Sequence, residues 1–269
     1  MIYMHRELVD GNRVLVGLII IFALLFFCAY GAWPDRETSV FWTTYIEEPE
    51  VEEVVKEEPV EEPEEVVLTP DTPMIAITFD DGPGINTDEI LSILEENEAK
   101  ATFFVLGSNA AIYPETIQRM ERLGFEIGNH TYHHVNLTKH PPEVMSEQVE
   151  GTNAVLMGII GRGATLVRPP YGEINDTVKA SLAYPFAFWS VDTEDWELRD
   201  PIAIAEYILA TAGDGDVVLL HDIHGFTLEA MRIVIPELKA RGYQLVTFSE
   251  MMEVHGVTME NGQKYFDCK

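Results

Sequence analysis

From Pro73 onward, short Val-, Ile- and Phe-rich runs alternate with amphipathic helical patterns, and this alternation leaves few folds open. The runs span 74–79, 101–106, 125–128, 165–167, 185–191, 216–220 and 243–248. A short, continuously apolar run is how a strand buried on both faces reads. Helical patterns lie between them at 87–97, 114–123, 142–160, 175–183, 201–212 and 227–241. The first places Ile90, Leu91 and Leu94 on one face, with acids at its start where the helix dipole favours them. The second opens on Pro114 and stops before Gly124. The last stops before Gly242, and Pro236 is expected to kink it.

Strand–helix alternation implies a parallel sheet with right-handed crossovers. An open, doubly wound sheet gathers its ligands at one switch point, whereas a barrel gathers residues from many strand ends onto one face. Five runs here end in a polar cluster: Thr78-Phe79-Asp80-Asp81-Gly82-Pro83, His130-Thr131-Tyr132-His133-His134, Arg168-Pro169-Pro170-Tyr171, Asp192-Thr193-Glu194-Asp195-Trp196 and Leu219-Leu220-His221-Asp222. That spread favours an α/β fold closed as a seven-stranded barrel.

The clusters hold a metal-site inventory and an acid/base inventory. His130 and His134 are four apart, a spacing that puts two imidazoles on one side of a helical turn; alone it is a weak signal, and His133 between them reads as a surface histidine. Asp80 and Asp81 end a buried strand ahead of Gly82-Pro83. A turn explains the Asp-Gly-Pro, yet two carboxylates beside apolar residues exceed what a turn requires. Two histidines and one carboxylate with open positions is a catalytic zinc pattern, and a bound ion lowers the pKa of water enough for attack near neutral pH. Arg168 heads a rigid Pro-Pro segment; it is either a loop start or a fixed cation beside a carboxylate. His221 closes an apolar strand, where a histidine is either a satisfied core residue or, oriented by Asp195, a general acid.

Two segments precede the domain. Residues 14–33 carry no charge, and roughly 20 such residues make about 30 Å of helix, enough to cross a bilayer. Tyr30 and Trp33 suit an interface, while Ala29 and Gly31 leave a cleaved signal peptide open as the rival reading. An uncleaved single-pass anchor is the reading we carry forward, with residues 1–13 as a short cytoplasmic tail and the domain outside the cell membrane. Residues 34–72 read as a disordered tether. Between 47 and 66 lie eleven glutamates against one lysine, and Pro49, Pro59 and Pro63 break any helix. Residues 73–255 then form the domain and 256–269 a C-terminal tail. The formal net charge of −29 argues against nucleic acid as a partner. The two cysteines, Cys28 and Cys268, offer no disulfide framework.

In this order the five clusters closely resemble the motifs of the polysaccharide deacetylase family, the NodB homology domain of carbohydrate esterase family 4. The family's Thr-Phe-Asp-Asp is Thr78 to Asp81; its His-Ser/Thr-x-x-His is His130, Thr131 and His134; its Arg-x-Pro-Tyr is Arg168, Pro170 and Tyr171. Its Asp-x-x-Asp-Trp is Asp192, Asp195 and Trp196, and its Leu-x-His is Leu219 and His221. The resemblance implies a distorted (β/α)7 barrel and hydrolysis of a linear amide. Asp81, His130 and His134 would hold a divalent metal, usually zinc. Asp80 would be the general base, Arg168 would orient it, and His221, tuned by Asp195, would protonate the leaving amine. The Tyr171 backbone N–H would face the oxyanion, and Trp196 and Leu219 would wall the acetyl pocket. The expected substrate is a polysaccharide containing N-acetylglucosamine, foremost peptidoglycan, with chitin-like oligomers or O-acetylated xylan as alternatives. A tethered, non-catalytic glycan-binding module or a structural metal site would need fewer of these residues: binding requires neither Asp80 nor His221, and a scaffold requires neither Arg168 nor Asp195.

Overall fold

The structure is a computed structural model and describes residues 68–269. The expected span at 14–33 and residues 34–67 of the expected tether lie outside the described residues. Among the described residues no helix is long and apolar enough to cross a membrane.

The elements follow the alternation. In chain order they are β1 (Met74–Asp80), α1 (Thr87–Glu96), β2 (Thr102–Val105), α2 (Gly107–Ile112), α3 (Pro114–Arg122), β3 (Glu126–Asn129), α4 (Pro142–Ile160), α5 (Asp176–Ser181), β4 (Phe186–Ala187), β5 (Val191–Asp192), α6 (Asp195–Leu198), α7 (Pro201–Thr211), β6 (Asp216–His221), α8 (Gly225–Ala240), β7 (Gln244–Val246), α9 (Phe248–Val254) and β8 (Lys264–Tyr265). Single 3-10 turns lie at Leu137–Lys139 and Pro170–Gly172.

Pairing is parallel throughout, in the order β3-β2-β1-β6-β5, with β7 joined to the lower half of β1 and β4 paired with β8. Val167 bridges Asn129 at the end of β3 to Phe186 in β4. The chain from Phe186 to Asp192 thus starts beside Val167 and ends beside β6, where Val191 meets Val218.

Two of the seven expected runs depart from plain strands. The run 165–167 contributes only the bridges at Val167, because Pro169 and Pro170 deny the next donors to any neighbour. The run 185–191 is split into β4 and β5. The carbonyls of Ala187 and Phe188 turn to the Arg168 side chain at 3.2 and 2.8 Å instead of to a strand.

Every residue of β1 is buried, and its side chains alternate between two apolar clusters. Ile75, Ile77 and Phe79 face out to α1, α7 and α8, meeting Leu91, Ile208 and Val234 among others. Met74 and Ala76 face in, towards Phe104, Val217 and the α9 residues Phe248, Met251 and Met252. Each of the Met, Val, Ile, Leu and Phe side chains among them stabilises the fold by about 1.5–3 kcal/mol. One end of the interior is therefore closed by hydrocarbon, and the polar clusters occupy the other.

Four local readings differ. α8 runs unbroken through Pro236. The run 243–248 ends at Val246, because Thr247 accepts from the Glu250 N–H while the Glu250 side chain accepts from the Thr247 N–H, starting α9. Residues 256–269, set apart above as a tail, contribute β8, and Val257, Met259, Tyr265 and Cys268 pack on the inner cluster. At the other boundary Leu68, assigned above to the tether, packs there too.

Candidate active site

Asp80 is the last residue of β1, in register with Phe104 on β2 and His221 on β6. Its neighbour Asp81 leaves the strand with φ 72°, a conformation few non-glycine residues adopt. The turn sends the two carboxylates to different partners. Asp80 Oδ1 accepts from Arg168 at 2.8 Å, and Oδ2 lies 3.6 Å from His130 Nε2. Asp81 Oδ1 lies 3.6 Å from His130 Nε2 and 3.4 Å from His134 Nε2.

The histidines do not converge by helical spacing. Residues 130–134 form a loop in which Thr131 (φ 72°) and His134 (φ 55°) are left-handed. The loop is anchored by Asn129, whose side-chain oxygen accepts from the Thr131 N–H at 2.8 Å and whose amide donates to the Val149 carbonyl at 2.8 Å. His133 donates its backbone N–H to Gln148, and its ring meets that of Tyr132 away from the acid cluster.

One ligand atom each from Asp81, His130 and His134 lies within 4.8 Å of the others. His130 Nδ1 is 2.7 Å from the Arg168 carbonyl, which can only accept; the proton is therefore on Nδ1 and the Nε2 lone pair faces Asp81. Burial lowers the His130 pKa to about 3, keeping it neutral as a metal ligand must be. Asp81 Oδ1 is buried with no hydrogen-bond partner among the described residues. A buried carboxylate oxygen is costly unless something pairs with it. An orphaned oxygen facing two imidazole nitrogens fits a divalent ion.

Arg168 is fully buried and makes four side-chain hydrogen bonds. Besides Asp80 it donates to Thr78 Oγ1 at 2.8 Å and to the two carbonyls above, and its guanidinium lies 3.9 Å over the Phe104 ring. Burial raises the Asp80 pKa, and Arg168, the largest opposing influence, does not cancel it. Arg168 is thus the fixed cation beside a carboxylate, and burial outweighs its pull. The product is a carboxylate more basic than usual.

The acid/base pair sits at the neighbouring strand end, where His221 closes β6 beside Asp80. Asp195 starts α6 fully buried, and its Oδ1 is 2.6 Å from His221 Nδ1. Its other oxygen accepts from the His221 N–H at 2.9 Å and from Thr227 Oγ1 at 2.6 Å. Burial alone would lower the His221 pKa, but the hydrogen bond and charge of Asp195, with Asp80 and Asp81 behind, push it up to about 9. Burial would likewise raise Asp195, and its bond to His221 leads the effects that hold it below the usual range.

Asp80, Asp81, His130, His134 and His221 line one cleft of 440 Å³, with Tyr171, Trp189, Asp192, Trp196, Leu219 and His224 as the other walls. All ten residues singled out from sequence are in or against this cleft: Arg168 and Asp195 lie behind its wall, and the other eight line it. Trp189 and His224 were missed, because neither has a spacing that marks it. Asp222 was quoted without a role. It is buried, takes a 2.6 Å bond from Thr87 Oγ1, and its carboxyl faces Gly82 so closely that a Cβ there would lie 2.3 Å from its oxygens. Burial, opposed by the Thr87 bond and reinforced by Asp81, pushes its pKa up to about 7. A carboxylate directly after His221, at the end of the apolar run Val217 to Leu220, was the available signal.

A strand-end cleft with an Asp-His-His cluster, a buried Arg–Asp pair and an Asp–His pair sits in a parallel α/β fold, and the chain belongs to the polysaccharide deacetylase family. The family profile described as Polysaccharide deacetylase matches residues 68–187. The peptidoglycan-N-acetylmuramic acid deacetylase PdaC of Bacillus subtilis is 41% identical over 204 residues, 76% of this chain and 44% of PdaC. The chain thus spans less than half the length of that relative. The solved structure of PdaC superposes with a TM-score of 0.69 at 42% identity, over 70% of this chain and 94% of that one. A peptidoglycan-N-acetylglucosamine deacetylase of Bacillus cereus is 37% identical over 66% of this chain and 68% of its own. A family 4 acetyl xylan esterase from Clostridium thermocellum, solved with a cobalt ion, matches at TM-score 0.69 and 31% identity, over 72% of this chain and 98% of that one.

Proposed function

We propose that the chain is a membrane-anchored, metal-dependent N-deacetylase that removes acetyl groups from N-acetylglucosamine residues of a polysaccharide, foremost peptidoglycan. The observation that carries this reading is the meeting of two sets of residues at one cleft: the Asp81, His130 and His134 cluster with Asp80 beside it, and the His221–Asp195 pair at the adjoining strand end. The names of the Bacillus relatives support the glycan.

Asp81, His130 and His134 would hold a divalent ion, zinc in our reading. When bound, such an ion polarises the acetyl carbonyl and makes a water easier to deprotonate. Asp80, raised in pKa by burial and held by Arg168, takes a proton from the attacking water. The water oxygen bonds to the acetyl carbon as the C=O π pair moves onto the carbonyl oxygen, and the C–N bond breaks when that pair returns. His221 is protonated at neutral pH and gives its proton to the departing amine, and acetate leaves with the added oxygen. The Tyr171 backbone N–H faces the developing oxyanion, a contribution that is often the largest in acyl transfer. Trp196 and Leu219 wall the acetyl methyl.

The finer architecture belongs to the same proposal. A distorted (β/α)7 barrel agrees with the bridges that carry β3 through Val167 to β4 and β5 back to β6. The uncharged run at 14–33 supports a single-pass anchor, and the acidic stretch beyond it a spacer that lets an extracytoplasmic domain reach the cell wall. The purified chain should release acetate from N-acetylglucosamine oligomers and from peptidoglycan fragments. EDTA should stop the release and added zinc should restore it. A folded, metal-loaded chain that releases acetate from none of these would refute the reading.

A further inference from the structure

His224 lines the cleft, yet none of the roles above uses it. It follows His221 by three residues and precedes α8, and its backbone N–H reaches the His221 carbonyl at 3.4 Å. The ring is stacked on Phe226, with centroids 4.7 Å apart and planes 24° from parallel. This fixes its plane without engaging its nitrogens. The other three cleft histidines are committed: His130 to the Arg168 carbonyl, His134 towards Asp81, and His221 to Asp195. No hydrogen bond contributes to the balance of charge states at His224.

We propose that His224 is a substrate-contacting residue that binds hydroxyl groups of the glycan and so makes the site prefer sugar chains over small acetylated molecules. The proposal rests on the deacetylase reading of the cleft.

Three observations favour this role. The His224 and His221 ring centroids are 6.2 Å apart, so the two rings do not share a direct hydrogen bond, and His221 already has Asp195 to tune it. His224 is also outside the set of residues whose ligand atoms converge on one point. Finally, burial and the positive His221 keep its pKa below the ordinary value, against the pull of Asp195 and Asp81. A neutral imidazole offers one donor and one acceptor. A sugar hydroxyl both donates and accepts, so this pairing is complementary, and its loss leaves a desolvated polar group on each side.

The test uses the full, zinc-loaded chain and two probes: an N-acetylglucosamine pentamer, and 4-nitrophenyl acetate, which has no sugar hydroxyls. His224→Ala should raise KM for the pentamer about five- to tenfold with kcat within about twofold, the size of one lost hydrogen bond. It should leave kcat/KM for the aryl acetate unchanged. His224→Asn, which keeps one donor and one acceptor, should recover most of the pentamer KM. Equal losses on both probes would mean a structural or proton-relay role and would overturn the proposal, as would an unchanged pentamer KM. Calorimetric binding of the pentamer decides the matter separately from turnover: weaker binding by His224→Ala supports the contact even if the wild type released no acetate, an outcome that would sink the deacetylase reading instead. Equal Kd values for wild type and variant would overturn the contact.

Discussion

Asp195→Asn removes one negative charge with little change of volume, at a position where every neighbour is a donor. The two carboxylate oxygens accept from His221 Nδ1 at 2.6 Å, the Trp196 N–H at 2.9 Å, the His221 N–H at 2.9 Å and Thr227 Oγ1 at 2.6 Å. A carboxamide has a single oxygen, so its NH2 must face donors on one side. The His221 pKa of about 9, against an ordinary 6.5, is the quantity at stake. That difference is a preference for the imidazolium on the order of 3 kcal/mol. The His221 side chain is 15% exposed, so solvent screens little of it. Without Asp195, burial is opposed only by Asp80 and Asp81, and the pKa should fall towards or below the ordinary value. A general acid works while protonated, so wild-type kcat/KM should fall as pH rises through about 9, and the falling limb should move down by about two pH units in the variant. Stability follows the same linkage. Because the folded pKa is the higher one, the stabilisation is complete below about 6.5 and is lost as pH rises from there through about 9. Urea denaturation at pH 6 and pH 9.5 should therefore show a wild-type loss that Asp195→Asn largely lacks. A variant whose alkaline limb stays near 9 would refute the reasoning.

Arg168→Gln leaves Asp80 buried without its cation; the expected loss is about 3–5 kcal/mol in denaturant unfolding. The Asp80 pKa then rises further, so the acid limb of kcat/KM should move to higher pH, and an unmoved limb would remove Arg168 from the proton-transfer scheme. Gly82→Ala puts a Cβ against the Asp222 carboxyl, costing about 1–3 kcal/mol and disturbing the adjacent Asp81. Calorimetry should show weaker zinc binding by that variant, whereas wild-type affinity would mean that the turn absorbs the added methyl without moving Asp81. Ending the chain after residue 255 removes β8 and the cover that Val257, Met259 and Tyr265 give the inner cluster, so stability should fall by about 2 kcal/mol or more. A shortened chain as stable as the full one would restore the tail reading.

The long helices and fully buried strands were legible because one local signal decides each. β1 is buried along its whole length and opens on four apolar residues, as a strand between helices and an inner cluster does, and α3 is marked by Pro114 and Gly124. Where a segment's hydrogen bonds go to side chains, composition is silent. Residues 185–191 read as one strand, but the demands of Arg168 on two carbonyls split them, and nothing within the run announces a guanidinium that comes from elsewhere in the chain. β8 escaped for the opposite reason: two residues of pairing leave too short a pattern to see. The start of α9 was available in the Thr247–Glu250 spacing and was outweighed by the apolar run before it.

The candidate site shows the same division between residue identity and placement. All ten singled-out residues meet at one cleft, yet the spacing argument for His130 and His134 invoked a helical turn that does not form. Five non-glycine residues in the strand-end loops are left-handed: Asp81, Thr131, His134, Tyr171 and Glu194. Such a conformation costs on the order of 1 kcal/mol each, and a loop under no other constraint would relax it. Here it turns Asp81 away from Asp80 and brings His134 back towards His130, so that adjacent carboxylates serve different partners. The strain is held by bonds remote in sequence, such as Asn109 to the Asp81 carbonyl at 2.8 Å and Asn129 to Val149. A motif therefore names the chemical groups, while the fold around it supplies the backbone angles that let them converge.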